Sequence, residues 1–346
     1  MSNKQNKVLV VATSRKTHGG IASVIKAMET GRQWKKYHCR WIETHRFGGW
    51  LTKIFYVFIA LIQFSALLPF YNIVHIHPAT IKSARRKYIF FLLARLFRKR
   101  IIIQLHCGDQ IQRQWSFIYR DMITKSDIVL VLSKSVKRTI ENIIGEQNNI
   151  RVLYNPCPVI KNPPATKTTT VLFVGTILEH KGYHDLLRAF ARIAAQYPDW
   201  KVTLAGQGEI KRGQILAKQL NINTQVEFSG WVEGETKEEL FRTATIFCFP
   251  SYEEGFPMAV LEALAYGLPV ITTPVGGLPD ILSDGRNAMI FNPGDIEHLA
   301  TLLQQLIENE SARASLSAES KKLARTVFSV DTIVAQLDEI YATVSQ

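Results

Sequence analysis

Residues 250–277 read PSYEEGFPMAVLEALAYGLPVITTPVGG, and their pattern decides the fold. The apolar run Ile246–Pro250 ends in a Glu-Gly turn, an apolar segment of helical length covers Ala259–Tyr266, and Val270–Thr272 is a further strand-like run. Strand, turn, helix and strand in so few residues form the unit of a parallel α/β sheet. Pro257 stands at or near the first helical turn, where its fixed φ and missing N–H are tolerated. The N–H groups of Gly255, Phe256 and Met258 then have no helical partners, and with the positive end of the helix dipole they suit a phosphate. Glu254 precedes this helix and Glu262 lies in about its second turn, eight positions on. Two carboxylates so placed can accept hydrogen bonds from the hydroxyls of a sugar and of a ribose. Glutamates at this spacing are common on solvated helices. The turn, the proline and the apolar helix between them set this pair apart.

The same alternation recurs on both sides. Val171–Val174, Val202–Ala205 and Val226–Ser229 are strand-like, while Tyr183–Gln196 and Ile296–Asn309 have helical spacing. Before them, NPCPVIKNPPATKTTT is rich in Pro, Thr and Asn and marks a linker or boundary around residues 156–169. Further back, Val8–Ala12 leads through Gly19-Gly20 into the helical IASVIKAM. Ile73–Ile76, Ile101–Leu105, Ile128–Leu132 and Val152–Tyr154 suit buried parallel strands, and Ala84–Phe97 suits a helix between them. The expected fold class is α/β: two doubly wound parallel-sheet domains, Rossmann-like, facing across a cleft. Their expected extents are 1–160 and 161–328, with an amphipathic helix in 329–346 that need not stay with the domain before it.

The chain has 346 residues, 47% of them hydrophobic and 21% charged, which excludes disordered, collagen-like and low-complexity architectures. Its formal charge of +13 is unevenly placed. Residues 1–165 carry 27 Lys/Arg against 7 Asp/Glu, and residues 166–346 carry 15 against 22. The first half is therefore expected to meet an anionic surface. Its cations cluster as Arg32/Lys35/Lys36/Arg40/Arg46, Lys82/Arg85/Arg86/Lys87 and Arg95/Arg98/Lys99/Arg100, interleaved with Trp34, Trp41, Phe47 and Trp50. Cations beside aromatic groups suit the interface of an anionic bilayer, at ~1 kcal/mol per Lys or Arg near the surface. The bland alternative is a sheet-covering helix with solvated basic ends. The apolar segment Ile54–Leu68 has 15 residues, or about 22 Å as a helix against roughly 30 Å of hydrocarbon, so a buried or interfacial helix is expected rather than a span. The N-terminal apolar run is too short for a signal peptide, and Cys39, Cys107, Cys157 and Cys248 show no metal or C-x-x-C spacing. A reducing cytosol is the expected compartment.

With seven residues between Glu254 and Glu262, followed by AxAxGLPVI and TPVGGLPDIL, the chain resembles the family 4 retaining glycosyltransferases of the GT-B fold. The resemblance covers most of the chain. It includes IVHIHPA at 73–79, LHCGD at 105–109, SDIVLVLSKSVKRTI at 126–140 and VLYNP at 152–156. It continues through FVGTILEHKGYHDLLRAF at 173–190, LAGQGE at 204–209, EFSGWV at 227–232, DGRNAMIFNPGDIEHLA at 284–300 and FSVDTIVAQLDEIY at 328–341.

The resemblance implies a nucleotide-sugar donor held mainly by the second domain, and a terminal helix that returns to the first. Glu254 would hold the donor sugar hydroxyls and Glu262 the ribose. Gly255, Phe256 and Met258 would present amides toward the sugar diphosphate, and Lys181, in the K-G element, would neutralise the leaving diphosphate. Gly19 and Gly20 would admit phosphates close to the backbone, and His106 would line the reacting face of the donor sugar. Gly230 and Trp231 fall where the base is expected. One departure stands out. The family carries G-R-L before K-G, where this chain has Gly175-Thr176-Ile177, and a threonine hydroxyl does not replace a bidentate guanidinium. Arg15, Lys16 and His180 are candidate substitutes.

No Asp-x-Asp occurs, which agrees with a metal-independent enzyme needing no cofactor beyond its nucleotide-sugar substrate. His75 and His77 share one strand face and are read as strand-end residues rather than metal ligands. Cys107 is read as a packed thiol, and the absence of a Gly-x-Ser-x-Gly elbow and of a P-loop argues against hydrolase and kinase chemistry. The leading expectation is a retaining hexosyl- or N-acetylhexosaminyltransferase using UDP- or GDP-sugar. Its acceptor would be a glycan, carried on a lipid diphosphate at the inner membrane face, in surface-polysaccharide synthesis. Two alternatives stand beside it: a catalytically silent nucleotide-sugar-binding relative, motivated by Thr176, and a nucleic-acid-binding protein, for which no recognition motif appears.

Overall fold

The computed structural model describes residues 6–17, 19–46, 49–108, 111–160, 162 and 165–345, without the side chains of residues 50, 51 and 53. Phe47, Asp109, Lys161, Pro163 and Pro164 of the stretches quoted above, and the Trp50 side chain, lie outside this description. Two compact units divide the chain: residues 1–156 with 328–346, and residues 157–327.

The first unit runs β1 (Val8–Ala12), α1 (Gly20–Glu29), α2 (Arg32–Lys36), β2 (Arg40–Glu43), α3 (Trp50–Leu67), β3 (Ile73–Ile76) and α4 (Ile81–Leu96). It continues through β4 (Arg100–Gln104), α5 (Phe117–Thr124), β5 (Ile128–Val131), α6 (Lys134–Ile144) and β6 (Ile150–Val152). The second unit contains β7 (Thr170–Val174), α7 (Tyr183–Ile193), β8 (Lys201–Ala205), α8 (Ile210–Gln219), β9 (Val226–Gly230) and α9 (Gly234–Thr243). After these come β10 (Ile246–Phe249), α10 (Met258–Ala265), β11 (Val270–Thr272), β12 (Met289–Ile290), α11 (Ile296–Glu308) and α12 (Glu310–Thr326). The last helix, α13 (Val330–Val344), belongs with the first unit.

Both sheets are six-stranded and parallel. The first has the order β2-β1-β3-β4-β5-β6, with Trp41, Val10, His75, Ile102 and Ile128 in one row across it. The second has the order β12-β11-β10-β7-β8-β9. Helices on both faces explain why the strands read as unbroken apolar runs. In the first unit Leu9, Val74, Ile101 and Val129 form one face, which packs on Phe64, Phe90, Tyr119 and Val136 of α3 to α6. The opposite face meets α13. Tyr341 Oη lies 2.9 Å from His75 Nδ1, and Lys36 pairs with Asp338 at 2.6 Å. Serines start several helices as their types predict: Ser133 and Ser329 accept from N–H groups three residues on, opening α6 and α13.

In each sheet the strand order reverses once, and such switch points are where open α/β sheets bind ligands. The reversal falls between β1 and β3 in the first unit and between β7 and β10 in the second.

Several local expectations are corrected. The strand expected at Val152–Tyr154 lies two residues earlier, because Ile150 is the residue that pairs with Val129. Pro257 is the N-cap of α10, with extended backbone, next to the first turn as expected. The apolar segment extends to an 18-residue helix, Trp50–Leu67, yet among the described residues no helix is long and apolar enough to cross a membrane. Lys87, grouped above with surface cations, is buried on the inner side of α4, donating to Ser83 Oγ at 2.8 Å.

Candidate functional site

At the switch point of the second sheet, two loops meet beyond the ends of β7 and β10. The loop after β7 closes in a single 3-10 turn, Glu179–Lys181, and the loop after β10 carries Ser251 to Pro257. A backbone bond laces them together, Tyr252 N–H donating to His180 O at 2.9 Å, and Ser251 Oγ lies 3.3 Å from the same carbonyl. Gly182 is required here. Its φ is +72°, and a Cβ would lie 1.9 Å from Pro250 O. A third segment closes on the turn from below, with Gly277 N–H donating to Gly255 O at 2.8 Å. At Gly276, φ +59°, a Cβ would stand 2.5 Å from that carbonyl, which accounts for the first of the paired glycines of TPVGG.

The lacing brings Lys181 Nζ to 2.5 Å from Glu254 Oε1, and Ser251 Oγ donates to the same oxygen at 3.1 Å. Both charged side chains are largely buried. This is a preorganised cation–carboxylate pair at the mouth of the sheet, with α10 beginning four residues after Glu254. Behind it, Tyr252 Oη donates to the buried Asp185 at 2.6 Å, and burial together with that carboxylate pushes the phenol up to about 12. One turn into α10, burial pushes the Glu262 carboxyl above its ordinary value, opposed by Lys237 of α9, whose Nζ is 2.6 Å from Glu262 Oε1. Each of the two expected glutamates therefore has its own lysine. Lys181 was expected from the K-G element; Lys237 was not, since a lysine within GETKEELFRT carries no signal beyond that of a solvated helix.

Gly255, Phe256 and Met258 lie between these pairs, as the turn, a buried aromatic and the first residue of α10. Gly175 and Thr176 follow β7 directly, and Thr176 is exposed. Gly230 and Trp231 close the edge strand β9, two strands from β7, with the indole 44% exposed. His180 is held below its ordinary pKa by burial and by Lys181, so it offers no cation in place of the missing arginine at neutral pH.

The remaining expected residues lie in the first unit. Gly19 caps α1 at φ +134° and Gly20 is its first residue, after the loop that follows the sheet's switch strand β1. Arg15 is already engaged within that unit. Its guanidinium pairs with Glu29 at 2.6 Å and Glu43 at 3.4 Å and stacks 4.4 Å from the Trp41 ring. Lys16 is exposed. His106 lies beyond β4, with Nε2 3.0 Å from His77 Nδ1, and burial pulls it down to about 3. His75 and His77 do share a strand face, their rings 4.1 Å apart. Among the described residues no three His, Cys, Asp or Glu side chains are grouped to hold a metal ion. Cys107 is buried in the core of this unit.

Residues 160–323 match the family model described as Glycosyl transferases group 1. The lipopolysaccharide 1,6-galactosyltransferase of Escherichia coli (strain K12) is 30% identical over 202 residues, 56% of this chain and 55% of that protein. The match spans roughly half the length of such curated relatives. Among solved structures, HepE of Anabaena in complex with UDP superposes with a TM-score of 0.76 at 17% identity, covering 97% of this chain and 100% of that one. The sucrose-phosphate synthase of Thermosynechococcus elongatus superposes with a TM-score of 0.79 at 18% identity, covering 98% of both chains. The expected GT-B class, with its two Rossmann-like sheets, is borne out.

Proposed function

We propose that the protein is a glycosyltransferase of group 1, the family whose model residues 160–323 match, and that it is a retaining enzyme using a UDP- or GDP-activated hexose or N-acetylhexosamine. The observation that carries this reading is the Lys181–Glu254 pair, fixed by three laced loops at the switch point of the second sheet. HepE, a neighbour in fold, was crystallised with UDP and with UDP-glucose, which supports a nucleotide-sugar in the same class of site.

The roles follow from the chemistry of each group. Glu254 accepts hydrogen bonds from the hydroxyls of the donor sugar. Donor entry gives its partner Lys181 a second anion, the diphosphate, whose charge grows as the sugar–phosphate bond breaks; stabilising that charge is worth the most where the cation is already in place. Gly255, Phe256 and Met258 offer amides at the start of α10, whose dipole favours the same charge. Glu262 accepts from the ribose hydroxyls, and Lys237 favours its ionised form. The acceptor oxygen forms its bond to the anomeric carbon on the face the diphosphate leaves, and its proton passes to a leaving phosphate oxygen. This retaining step needs neither a protein nucleophile nor a metal. Gly230 and Trp231 flank the base. The acceptor is a glycan on a lipid-diphosphate carrier, with the protein peripheral on the inner membrane face. The E. coli relative's name, a lipopolysaccharide galactosyltransferase, supports a surface-polysaccharide acceptor.

A thermal-shift screen of UDP- and GDP-sugars tests the donor half, since a ligand bound by the native state alone raises the apparent stability. At least one donor is expected to raise the unfolding temperature of the wild type and to lose that effect in Glu254→Ala. A screen in which no nucleotide-sugar shifts the wild type contradicts the reading. Thr176, with Arg15 engaged elsewhere and His180 neutral, favours one second reading, a catalytically silent nucleotide-sugar binder. Turnover that survives Thr176→Arg and vanishes in Glu254→Ala rules that reading out.

A further inference from the structure

α3 is apolar on two opposite sides but buries only one. Ala60, Phe64 and Leu68 enter the core, while Ile54, Phe55, Phe58 and Ile62 stand outward, Phe58 with 61% of its surface exposed. α4, packed against α3, continues the pattern. Its outward stripe runs Lys82, Arg85, Ile89, Leu92 and Leu96, a spacing of three and four residues, with Leu96 74% exposed. Beyond the helix ends, Phe70 and Phe97 precede the neighbouring strands β3 and β4 and are also exposed. Scattered exposed apolar residues are ordinary; rows of them on adjoining helices mark an interaction surface.

The segment that builds this surface carries charge of a single sign. Between Glu43 and Asp109 the chain contains no Asp or Glu, while ten Lys and Arg fall in the same stretch. Lys82 and Arg85 prolong the apolar stripe of α4 at one end, and Arg95 and Arg98 stand exposed at the other. Arg46 donates to Tyr56 Oη at 2.9 Å beside the start of α3, a cation and a phenol of the kind that sit at lipid headgroups. From these observations we propose that the outward face of α3 and α4 is the surface on which the first unit docks to an anionic lipid bilayer. α3 lies flat in the interface with its outward phenylalanines among the acyl chains and the surrounding cations on the phosphates. A second copy of the chain fits this face poorly, because a two-fold interface sets the same patch against itself and would oppose cation to cation. The inference rests on the membrane-side reading above and gives it an address.

The test is co-sedimentation of the full chain with phosphatidylcholine vesicles, with and without phosphatidylglycerol. Wild type is expected to bind the anionic vesicles and to keep part of that binding in high salt, which screens the cations and spares the apolar contact. The combined Phe55→Ser, Phe58→Ser and Ile62→Ser variant should bind at least about tenfold more weakly, given the apolar area removed. Arg85→Glu with Arg98→Glu should lose most binding at low salt. The same preparations carry the nucleotide-sugar thermal shift of wild type, so a failure of the surface is distinguishable from a failure of the donor site. The proposal is overturned if wild type ignores anionic vesicles at low salt, or if the triple serine variant binds them as wild type does. It is also overturned if light scattering finds a dimer that this variant dissociates while neither protein binds vesicles.

Discussion

Lys181 and Glu254 are held so close that removing either leaves the other without its partner. Burial removes water from both, and the remaining partner of a broken pair is left with a charge it cannot solvate. At Glu262 the balance is finer: burial raises its pKa and Lys237 opposes the rise. Replacing Lys237 by Met removes the opposing cation, so the carboxyl should stay protonated to higher pH. Only the ionised form accepts from both ribose hydroxyls with both oxygens. Titration calorimetry of Lys237→Met is therefore expected to show donor affinity strengthening as pH rises through the elevated pKa. The wild type should show a weaker dependence at lower pH; equal profiles for both proteins contradict the assignment. The two glutamates were legible from EEGFP and their spacing. Lys237 was not, because it becomes a partner only after the crossover through α9 returns the chain to β10.

The elements of the first unit hold a second set of charges that the sequence misplaced. Lys87 looked like one of four clustered cations, yet the turn of α4 that points Arg85 outward points Lys87 inward onto Ser83. Burial pulls its pKa down to about 7, and burial likewise pulls His75 and His106 down to about 3. A group whose folded pKa is depressed in this way binds fewer protons when folded, so stability rises with pH between the folded and unfolded values. The histidines place that dependence between about 3 and their ordinary 6.5, and Lys87 between about 7 and its ordinary 10.5. Melting temperature against pH should accordingly fall on acidification below 6.5, and Lys87→Met should flatten the slope above 7. An unchanged alkaline slope in Lys87→Met would place the titrating group elsewhere. Short edge strands escaped notice for a different reason. β2 mixes charged with apolar residues and β12 has two residues, so neither makes an apolar run.

Across the whole molecule, two strand sequences interrupted by a proline-rich stretch were enough to read two parallel sheets. What no local pattern announces is contact over long separations: Lys36 finds Asp338 302 residues later. The charge imbalance has become more specific. Exposed cations flank the outward faces of α3 and α4, while in the more acidic half the proposed donor site has two lysines, a helix start and close-packed glycines. The division of labour proposed above centres donor chemistry on Glu254 and Lys181. Its most direct measurement is the rate of sugar transfer from the donor found by thermal shift to a lipid-diphosphate-linked glycan, in wild type and in Glu254→Ala. Transfer by the wild type, with kcat lower by roughly a hundredfold or more in Glu254→Ala, is the predicted result. Undiminished transfer in Glu254→Ala would contradict the account.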